Sequence, residues 1–205
     1  MSKQKYNHKT LYTKTCVDNI LKIYDNDTST ANVDNWYLKA NDFAKTLSQR
    51  YDVQLSKVCG VIAALSPLKK WSENKRIAES FLLNGNAYHT KTMKDKAKSI
   101  LKSDGGTSTI VDILNGDKIT SFFLNILEPN NGNVVTIDRH ALDICLGVYQ
   151  GNVERRMTSN QYLFFVKCYL IAANERNLTP SEIQAVTWVK WRDINQEERY
   201  KDVPF

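Results

Sequence analysis

Two side chains in the middle of the chain, Lys118 and Asp138, have the functional groups of a nucleophile and a proton acceptor. A lysine amine that has lost its proton can attack an electrophilic carbon and form a Schiff base with a carbonyl group. In water the group is a protonated ammonium, which does not react, and partial burial favours the neutral amine. A nearby aspartate can take up the proton and offset growing positive charge. Taken singly, however, the two residues are typical of a solvated surface lysine and an ordinary helix cap.

The predicted helices and the connection between them allow the side chains of Lys118 and Asp138 to come together. The pattern predicts one helix over about 117–127 and a second over about 138–148, joined by the segment EPNNGNVVT. Nine residues of helix after Lys118 advance the chain by about 13 Å, and the next ten residues span at most about 33 Å when extended. The connection is therefore long enough to return Asp138 to the start of the first helix. Asp138 is also placed to cap the second helix, which would fix its carboxylate.

Apolar periodicity and turn signals predict an all-α protein without a clean linker. The Ser66-Pro67 step ends one buried helix, because the residue before a proline avoids the α region. Residues 25–35 are polar and predict a loop, after which Asp34 or Asn35 caps a helix to about Tyr51. The predicted buried face of that helix consists of Trp36, Leu38, Phe43 and Leu47. The further predicted helices cover residues 10–24, 53–65, 72–83, 92–102, 159–174 and, with Thr179 as cap, 180 to beyond 191.

The composition, net charge and cysteine spacing of the chain indicate which class of protein to expect. The chain has 205 residues, of which 42% are hydrophobic and 24% charged, values typical of a globular protein that folds in water. Its net charge of +6 permits a polyanionic partner without requiring one. The four cysteines are widely spaced, so no tight metal or iron–sulfur motif is present. We therefore expect a cytoplasmic protein with no metal, no cofactor and no membrane segment.

A longer motif contains the reactive pair. Residues 114–146 read LNGDKITSFFLNILEPNNGNVVTIDRHALDICL. This segment resembles the signature of the helix-hairpin-helix superfamily of DNA base-excision glycosylases: Leu-x-Gly, a lysine, a Gly/Pro-containing loop, then Asp-x-His. The matching positions are Leu114, Gly116, Lys118, Pro129, Gly132, Asp138 and His140. The usual hairpin reads Leu-Pro-Gly-x-Gly-x-Lys, so the hairpin of this chain is two residues shorter.

The resemblance is closest to the archaeal-type 8-oxoguanine DNA glycosylase/AP lyases. That branch carries a lysine, then Ser-x-Phe-Leu-x-Asn, then Ile-Asp-Arg-His. This chain has Lys118, then Ser121 to Asn125, then Ile137 to His140. Two earlier segments, VIAALSPLKKWSENKRIA (61–78) and KDKAKSIL (94–101), are similar to the helices before the hairpin. The similarity covers about residues 55–150.

The resemblance implies a two-lobed helical glycosylase-like fold, in which residues 1–205 form a single unit with the hairpin and catalytic segment at about 110–150. It implies that Lys118 is the nucleophile and Asp138 the assisting carboxylate. The substrate would be double-stranded DNA with a damaged or modified base, either 8-oxoguanine or a modified phage or host base. The base would be flipped into a pocket, and the strand could then be nicked by β-elimination. We expect a monomer that acts at the nucleoid or in an infected host cell.

Several other side chains are candidates for DNA or base contacts. Aromatic rings can stack on a flipped base, and backbone amides at a helix start can hold phosphates. Four of the candidates also have a structural interpretation: Phe122 and Trp188 suit a helical core, His140 suits packing, and Arg139 suits an exposed surface. The full set of DNA-binding candidates is Ser66, Trp71, Asn115, Gly116, Phe122, Arg139, His140 and Trp188.

Two other functions stay open at this point. The shortened hairpin is also compatible with a catalytically inactive module on the same fold that binds DNA, a nucleotide or another protein. A glycosidase acting on RNA or a free nucleoside is a weaker alternative. The C-terminal 55 residues (151–205) match none of these motifs.

Overall fold

The computed structural model describes residues 2–6, 9–26, 36–150 and 156–195. Within these ranges the chain is mainly helical, as the sequence predicts, with one small antiparallel hairpin. The strands are β1 (Lys3–Tyr6) and β2 (Lys9–Tyr12). The helices are α1 (Thr13–Tyr24), α2 (Trp36–Tyr51), α3 (Leu55–Ala64), α4 (Trp71–Asn84), α5 (Lys91–Lys102), α6 (Thr107–Leu114), α7 (Asp117–Leu127), α8 (Arg139–Leu146), α9 (Ser159–Glu175) and α10 (Pro180–Ile194).

The described residues divide into two compact units. Unit 1 contains residues up to Trp36 and returns at Asn130, and unit 2 contains the segment Tyr37–Pro129 between them. Unit 1 therefore holds β1, β2, α1 and α8 to α10, whereas unit 2 holds nearly all of α2 and the whole of α3 to α7. Lys118 belongs to unit 2 and Asp138 to unit 1.

Unit 1 has a core in which α1, α8, α9 and α10 pack together. Three cysteines, Cys16, Cys145 and Cys168, are buried in it and behave as small apolar side chains. The amide of Asn19 donates to the carbonyl of Cys145 at 2.9 Å and ties α1 to the end of α8. This bond anchors the C-terminal end of α8, and Asp138 caps its N-terminal end.

Unit 2 is built around α3, the apolar helix that packs against α4, α5, α6 and α7. Eight of its ten residues are buried. Gly60 allows the closest approach, because a Cβ added there would lie 2.9 Å from Ile110 and 3.0 Å from Ile100. The hairpin formed by α6 and α7 is thereby seated directly on the central helix of the unit.

Most predicted helix boundaries agree with the structure within about three residues. The helix predicted over 117–127 is α7, with the same limits. The predicted cap at Thr179 is confirmed, since its side chain accepts from the N–H of Glu182 and the Glu182 side chain accepts from the N–H of Thr179. The Ser66-Pro67 step ends α3, also as predicted.

Three details differ from the prediction. The helix expected from residue 10 begins only at Thr13, because the residues before it pair with Lys3–Tyr6 as a strand. Leu38 was expected to be buried but is 37% exposed, and Ala40 and Ala44 occupy the buried face of α2 instead. Helix α6 was not among the predicted helices. The expected loop from residue 27 on and the expected cap at Asp34 or Asn35 lie outside the described residues.

Candidate functional site

The carboxylate of Asp138 is buried and is hydrogen-bonded through both of its oxygens. Its Oδ1 atom accepts from the backbone N–H of Ala141 at 2.8 Å, which confirms the predicted helix cap of α8. Its Oδ2 atom accepts from the indole N–H of Trp188 at 3.2 Å. Asp138 is only 5% exposed. Both oxygens are therefore oriented by donors, which is more than a helix cap requires.

The Trp188 indole is held by its own contacts. It is 1% exposed, and the ring of His140 meets it edge to face, with ring centres 5.4 Å apart at 85°. The guanidinium carbon of Arg192 lies 4.4 Å from the centre of the indole, within the range of a cation–π contact. Arg192 is 6% exposed. A buried cation, a buried imidazole and a buried carboxylate thus meet around one tryptophan.

His140 and Arg139 contact each other at the start of α8. The Arg139 Nε–H donates to Nε2 of His140 at 3.2 Å, and His140 is 4% exposed. The structure therefore gives His140 the packing role that the sequence allowed, against Trp188. Arg139 is half-buried, and its side chain orients the imidazole.

The backbone on either side of Asp138 is fixed by two buried tyrosines. The Tyr162 hydroxyl accepts from the N–H of Ile137 at 3.0 Å and donates to the carbonyl of Val135 at 3.3 Å. The Tyr169 hydroxyl donates to the carbonyl of Ala141 at 3.4 Å. Burial keeps the pKa of Tyr169 well above its usual value, so the group stays protonated and able to donate. Helix α9 therefore sets the backbone on either side of the carboxylate.

Lys118, the other residue of the predicted pair, follows the hairpin between α6 and α7 in unit 2. Leu114, the last residue of α6, is buried, and Asn115 turns the chain in the left-handed region at φ 43°. Gly116 is extended and precedes the first residue of α7. The Asn115 N–H bonds back to the carbonyl of Val111 at 3.0 Å. The sequence predicted that backbone amides near this helix start hold phosphates. The amide of Asn115 instead donates to the end of α6.

Lys118 is on the first turn of α7, and its side chain is exposed. The chemistry expected of it calls for partial burial, and the structure does not provide that burial. Asp117 is exposed beside it and places a negative charge at the same helix start. This charge opposes an anion at the start of α7.

The loop of residues 66–70, hereafter the 66–70 loop, has a feature that the sequence did not single out. Leu68 is fully exposed, with a relative accessibility of 102%, and has a left-handed backbone at φ 62°. A leucine in this region costs about 1 kcal/mol or more relative to ordinary backbone geometry. Two lysines, Lys69 and Lys70, follow it. The loop therefore presents an apolar tip beside positive charge. The only sequence signal was the Pro-Leu-Lys-Lys order after a helix end.

Neighbouring residues support the 66–70 loop. Ser66 is buried, and its hydroxyl donates to the carbonyl of Ala63 at 2.9 Å, so it closes α3. The ammonium of Lys69 lies 5.3 Å from the ring centre of Tyr88, which is 88% exposed. Lys69 also pairs with Glu73 at 2.7 Å. The side chain of Ser66 thus closes the end of α3. Lys69 is largely covered and contacts Glu73 and Tyr88, whereas Tyr88 itself is exposed.

The remaining aromatic candidates lie inside unit 2 or at its edge. Phe122 is 2% exposed and meets Tyr37 edge to face, with ring centres 6.4 Å apart, so its ring lies in the core and offers no face to a base. Trp71 is half-buried at the start of α4, where it meets Phe43 edge to face at 5.9 Å. The ammonium of Lys75 lies 5.8 Å from the Trp71 ring centre. Of the two rings, Trp71 has the greater accessible area.

Comparison with known proteins places this architecture in a family. A family model described as "Family of unknown function (DUF7178)" matches residues 2–195. The chain belongs to this family. No curated protein and no solved structure matches it. Family membership therefore spans both units, including α9 and α10, which the motif comparison left uncovered.

Membrane-spanning helices and clusters of metal ligands are both absent from the described ranges. None of their helices combines the length and the apolar character needed to cross a membrane. No three His, Cys, Asp or Glu side chains converge there as a metal site would require.

Proposed function

We propose that this protein is a DNA base-excision glycosylase with Lys118 as nucleophile and Asp138 as the assisting carboxylate. The observation that carries the proposal is that the Asp138 carboxylate is buried and accepts hydrogen bonds at both oxygens. Its two oxygens are held by an N–H of the α8 backbone and by the Trp188 indole, in a buried setting. A carboxylate fixed in this way is suited to stabilising charge that develops during a reaction. The motif around it, Ile-Asp-Arg-His after a lysine-bearing helix, supports the same assignment.

The proposed reaction begins at the anomeric carbon of the target nucleotide. Asp138 takes the proton of the Lys118 ammonium, and the neutral amine attacks C1′. The bond from C1′ to the base breaks, and the base leaves with the electron pair and takes up the proton that the attached amine loses. The bond from C1′ to the ring oxygen O4′ then breaks, O4′ takes the proton that Asp138 holds, and the C1′–N bond becomes a protonated Schiff base. β-Elimination from this intermediate would cut the strand on the 3′ side.

The partner in this proposal is double-stranded DNA. Leu68, exposed on a lysine-flanked loop, has the character of the apolar wedges that proteins insert between base steps. Helix α5 adds exposed lysines, among them Lys91, Lys98 and Lys102, that can neutralise phosphates. The expected base is 8-oxoguanine or a modified base of a phage or its host. The side chain of Lys118 is exposed to solvent in the free protein. Bound DNA that covers Lys118 would exclude water from it.

Covalent trapping tests the proposal. The protein is mixed with duplexes that contain 8-oxoguanine, uracil, an abasic site or no lesion, and borohydride is added. We expect an adduct with one lesion that disappears in Lys118→Gln. The matched control is Lys167→Gln, which changes an exposed lysine on α9 of unit 1. Absence of any adduct from the folded protein would refute the Schiff-base mechanism.

A second candidate function is favoured by the exposure of Lys118 and by the shortened hairpin. In this alternative the protein is a catalytically inactive module on the same fold that binds DNA, a nucleotide or another protein. Duplex binding without adduct and without base release would select it. Base release without adduct would instead indicate a glycosylase that uses water as the nucleophile.

A further inference from the structure

Helix α10 contributes a side chain to the candidate site that no motif assigned. Trp188 is fifty residues after Asp138 in the chain, in the region without resemblance to the glycosylase signature. Its indole N–H nevertheless donates to Oδ2 of Asp138 at 3.2 Å. Both residues belong to unit 1, so this contact lies inside one compact body.

The helix cap alone leaves one degree of freedom in the carboxylate. The bond from the Ala141 N–H engages Oδ1, and the terminal torsion of an aspartate is broad. A second donor on Oδ2 removes that freedom. It also compensates the burial of the carboxylate, because a buried charge without hydrogen bonds is costly. Trp188 therefore sets the direction in which the lone pairs of Asp138 point.

Two side chains pack on the Trp188 indole and hold its N–H toward Asp138. The His140 ring packs edge to face against it, and Arg192 covers its face at 4.4 Å. These contacts come from α8 and α10, the two helices that also supply the acceptor and the donor. The position of the N–H is thus determined by packing on the ring rather than by the hydrogen bond alone.

We propose that Trp188 is the positioning residue for the Asp138 carboxylate, and that α10 is thereby part of the reactive site. The inference rests on the proposed glycosylase function. Trp188 acts through Asp138 and needs no contact with the base. Loss of its N–H therefore slows the chemical step and leaves DNA affinity unchanged.

The kinetic experiment compares Trp188→Phe with Trp191→Phe. Both variants keep an aromatic ring on α10, and Trp191 is also buried, at 7% exposure. Its indole N–H has no hydrogen-bond acceptor among the described residues, which makes it the matched control. We expect the single-turnover rate of base release at saturating protein to fall about tenfold in Trp188→Phe. The duplex Kd should stay at the wild-type value, and Trp191→Phe should match wild type in both.

A spectroscopic measurement tests the contact without any catalytic activity. The indole N–H resonances of the protein labelled with 15N-tryptophan are recorded, and Trp188→Phe identifies the one that belongs to Trp188. Asp138→Ser keeps a residue type that caps helices well but is too short to reach the indole. We expect the Trp188 resonance to move upfield in Asp138→Ser and the Trp71 resonance to stay in place.

The two measurements separate the possible failures. An unchanged Trp188 resonance in Asp138→Ser overturns the inference whether or not the protein is an enzyme. A full rate in Trp188→Phe, or a weakened duplex Kd that accounts for the lost rate, overturns it as well. If wild type releases no base from any duplex, the proposed glycosylase function is refuted, and so is a catalytic role for the contact between Trp188 and Asp138. The shift of the Trp188 resonance in Asp138→Ser would still report whether that contact exists.

Discussion

Nε2 of His89 lies 3.1 Å from the carbonyl oxygen of Pro67, the residue before Leu68. On the other side of the ring, Nδ1 accepts from the N–H of Thr90 at 2.8 Å. The two bonds together fit the neutral imidazole that carries its hydrogen on Nε2 and donates to Pro67. The imidazole therefore joins the 66–70 loop to the start of α5 in one protonation state.

This arrangement predicts a pH-dependent stability. Burial lowers the pKa of His89 from its ordinary 6.5, and the hydrogen bond to Pro67 offsets this in part. Because the unfolded chain then binds a proton more readily than the folded one, stability should fall as pH drops below 6.5. We expect urea unfolding at pH 7.5 and 5.0 to show a smaller loss of stability in His89→Gln than in wild type. Equal losses in the two proteins would contradict the prediction.

Leu68 should matter for duplex substrates and not for folding. Its side chain is fully exposed, so Leu68→Ala is expected to change the free energy of unfolding by less than about 0.5 kcal/mol. Loss of the apolar tip should slow base release from duplex DNA about tenfold or more, with a smaller effect on single strands. Leu163→Ala on α9, where the leucine is 62% exposed, is the matched control. An unchanged duplex rate in Leu68→Ala would refute the wedge.

Asp138 should contribute to stability as well as to chemistry. Asp138→Ala removes the cap of α8 and leaves the buried N–H of Trp188 without this acceptor. We expect a loss of about 2–3 kcal/mol in the free energy of unfolding. Tryptophan fluorescence during urea denaturation can report it, because Trp188 is adjacent. Asp112→Ala, which changes an exposed aspartate on α6, should lose under about 0.5 kcal/mol. If Asp138→Ala loses no more stability than Asp112→Ala, the Asp138 cap does not contribute to the free energy of unfolding.

Gly60 should be intolerant of a side chain. The carbon of an added methyl group would lie 2.9 Å from Ile110 and 3.0 Å from Ile100, clearly closer than ordinary van der Waals contact. We expect Gly60→Ala to lower the free energy of unfolding by about 1–3 kcal/mol, although alanine favours helix. The control is Gly132→Ala, where nothing lies within 4 Å of the added carbon. A gain in stability for Gly60→Ala would mean that α5 and α6 can shift away from α3 without cost.

Local signals predicted the helices because the forces behind them are local. The cap at Thr179, the proline after it and the apolar period of the following residues are all contained in one segment. Helix α7 was predicted with its observed limits for the same reason. The strand Lys9–Tyr12 was missed because four residues carry too little alternation to be distinguished from a helix start.

The exposure of side chains was less predictable. Leu38 follows the helical period of α2 but faces outward, since the buried stripe is formed by Tyr37, Ala40 and Ala44. The chemistry predicted for Lys118 needs partial burial, and its position on the first turn of α7 leaves the side chain exposed. Which stripe of a helix is covered depends on the neighbouring helices, and a single segment does not contain that information.

The sequence by itself determined the helical class, the helix ends and the placement of Asp138 as a cap, because each follows from propensity, period and hydrogen bonding within a few residues. Only the tertiary structure decided that Trp188 meets Asp138, that Phe122 is enclosed and that Leu68 stands free of the core. Contacts between residues fifty positions apart depend on how α8 and α10 pack, and packing is a property of the assembled unit rather than of either segment.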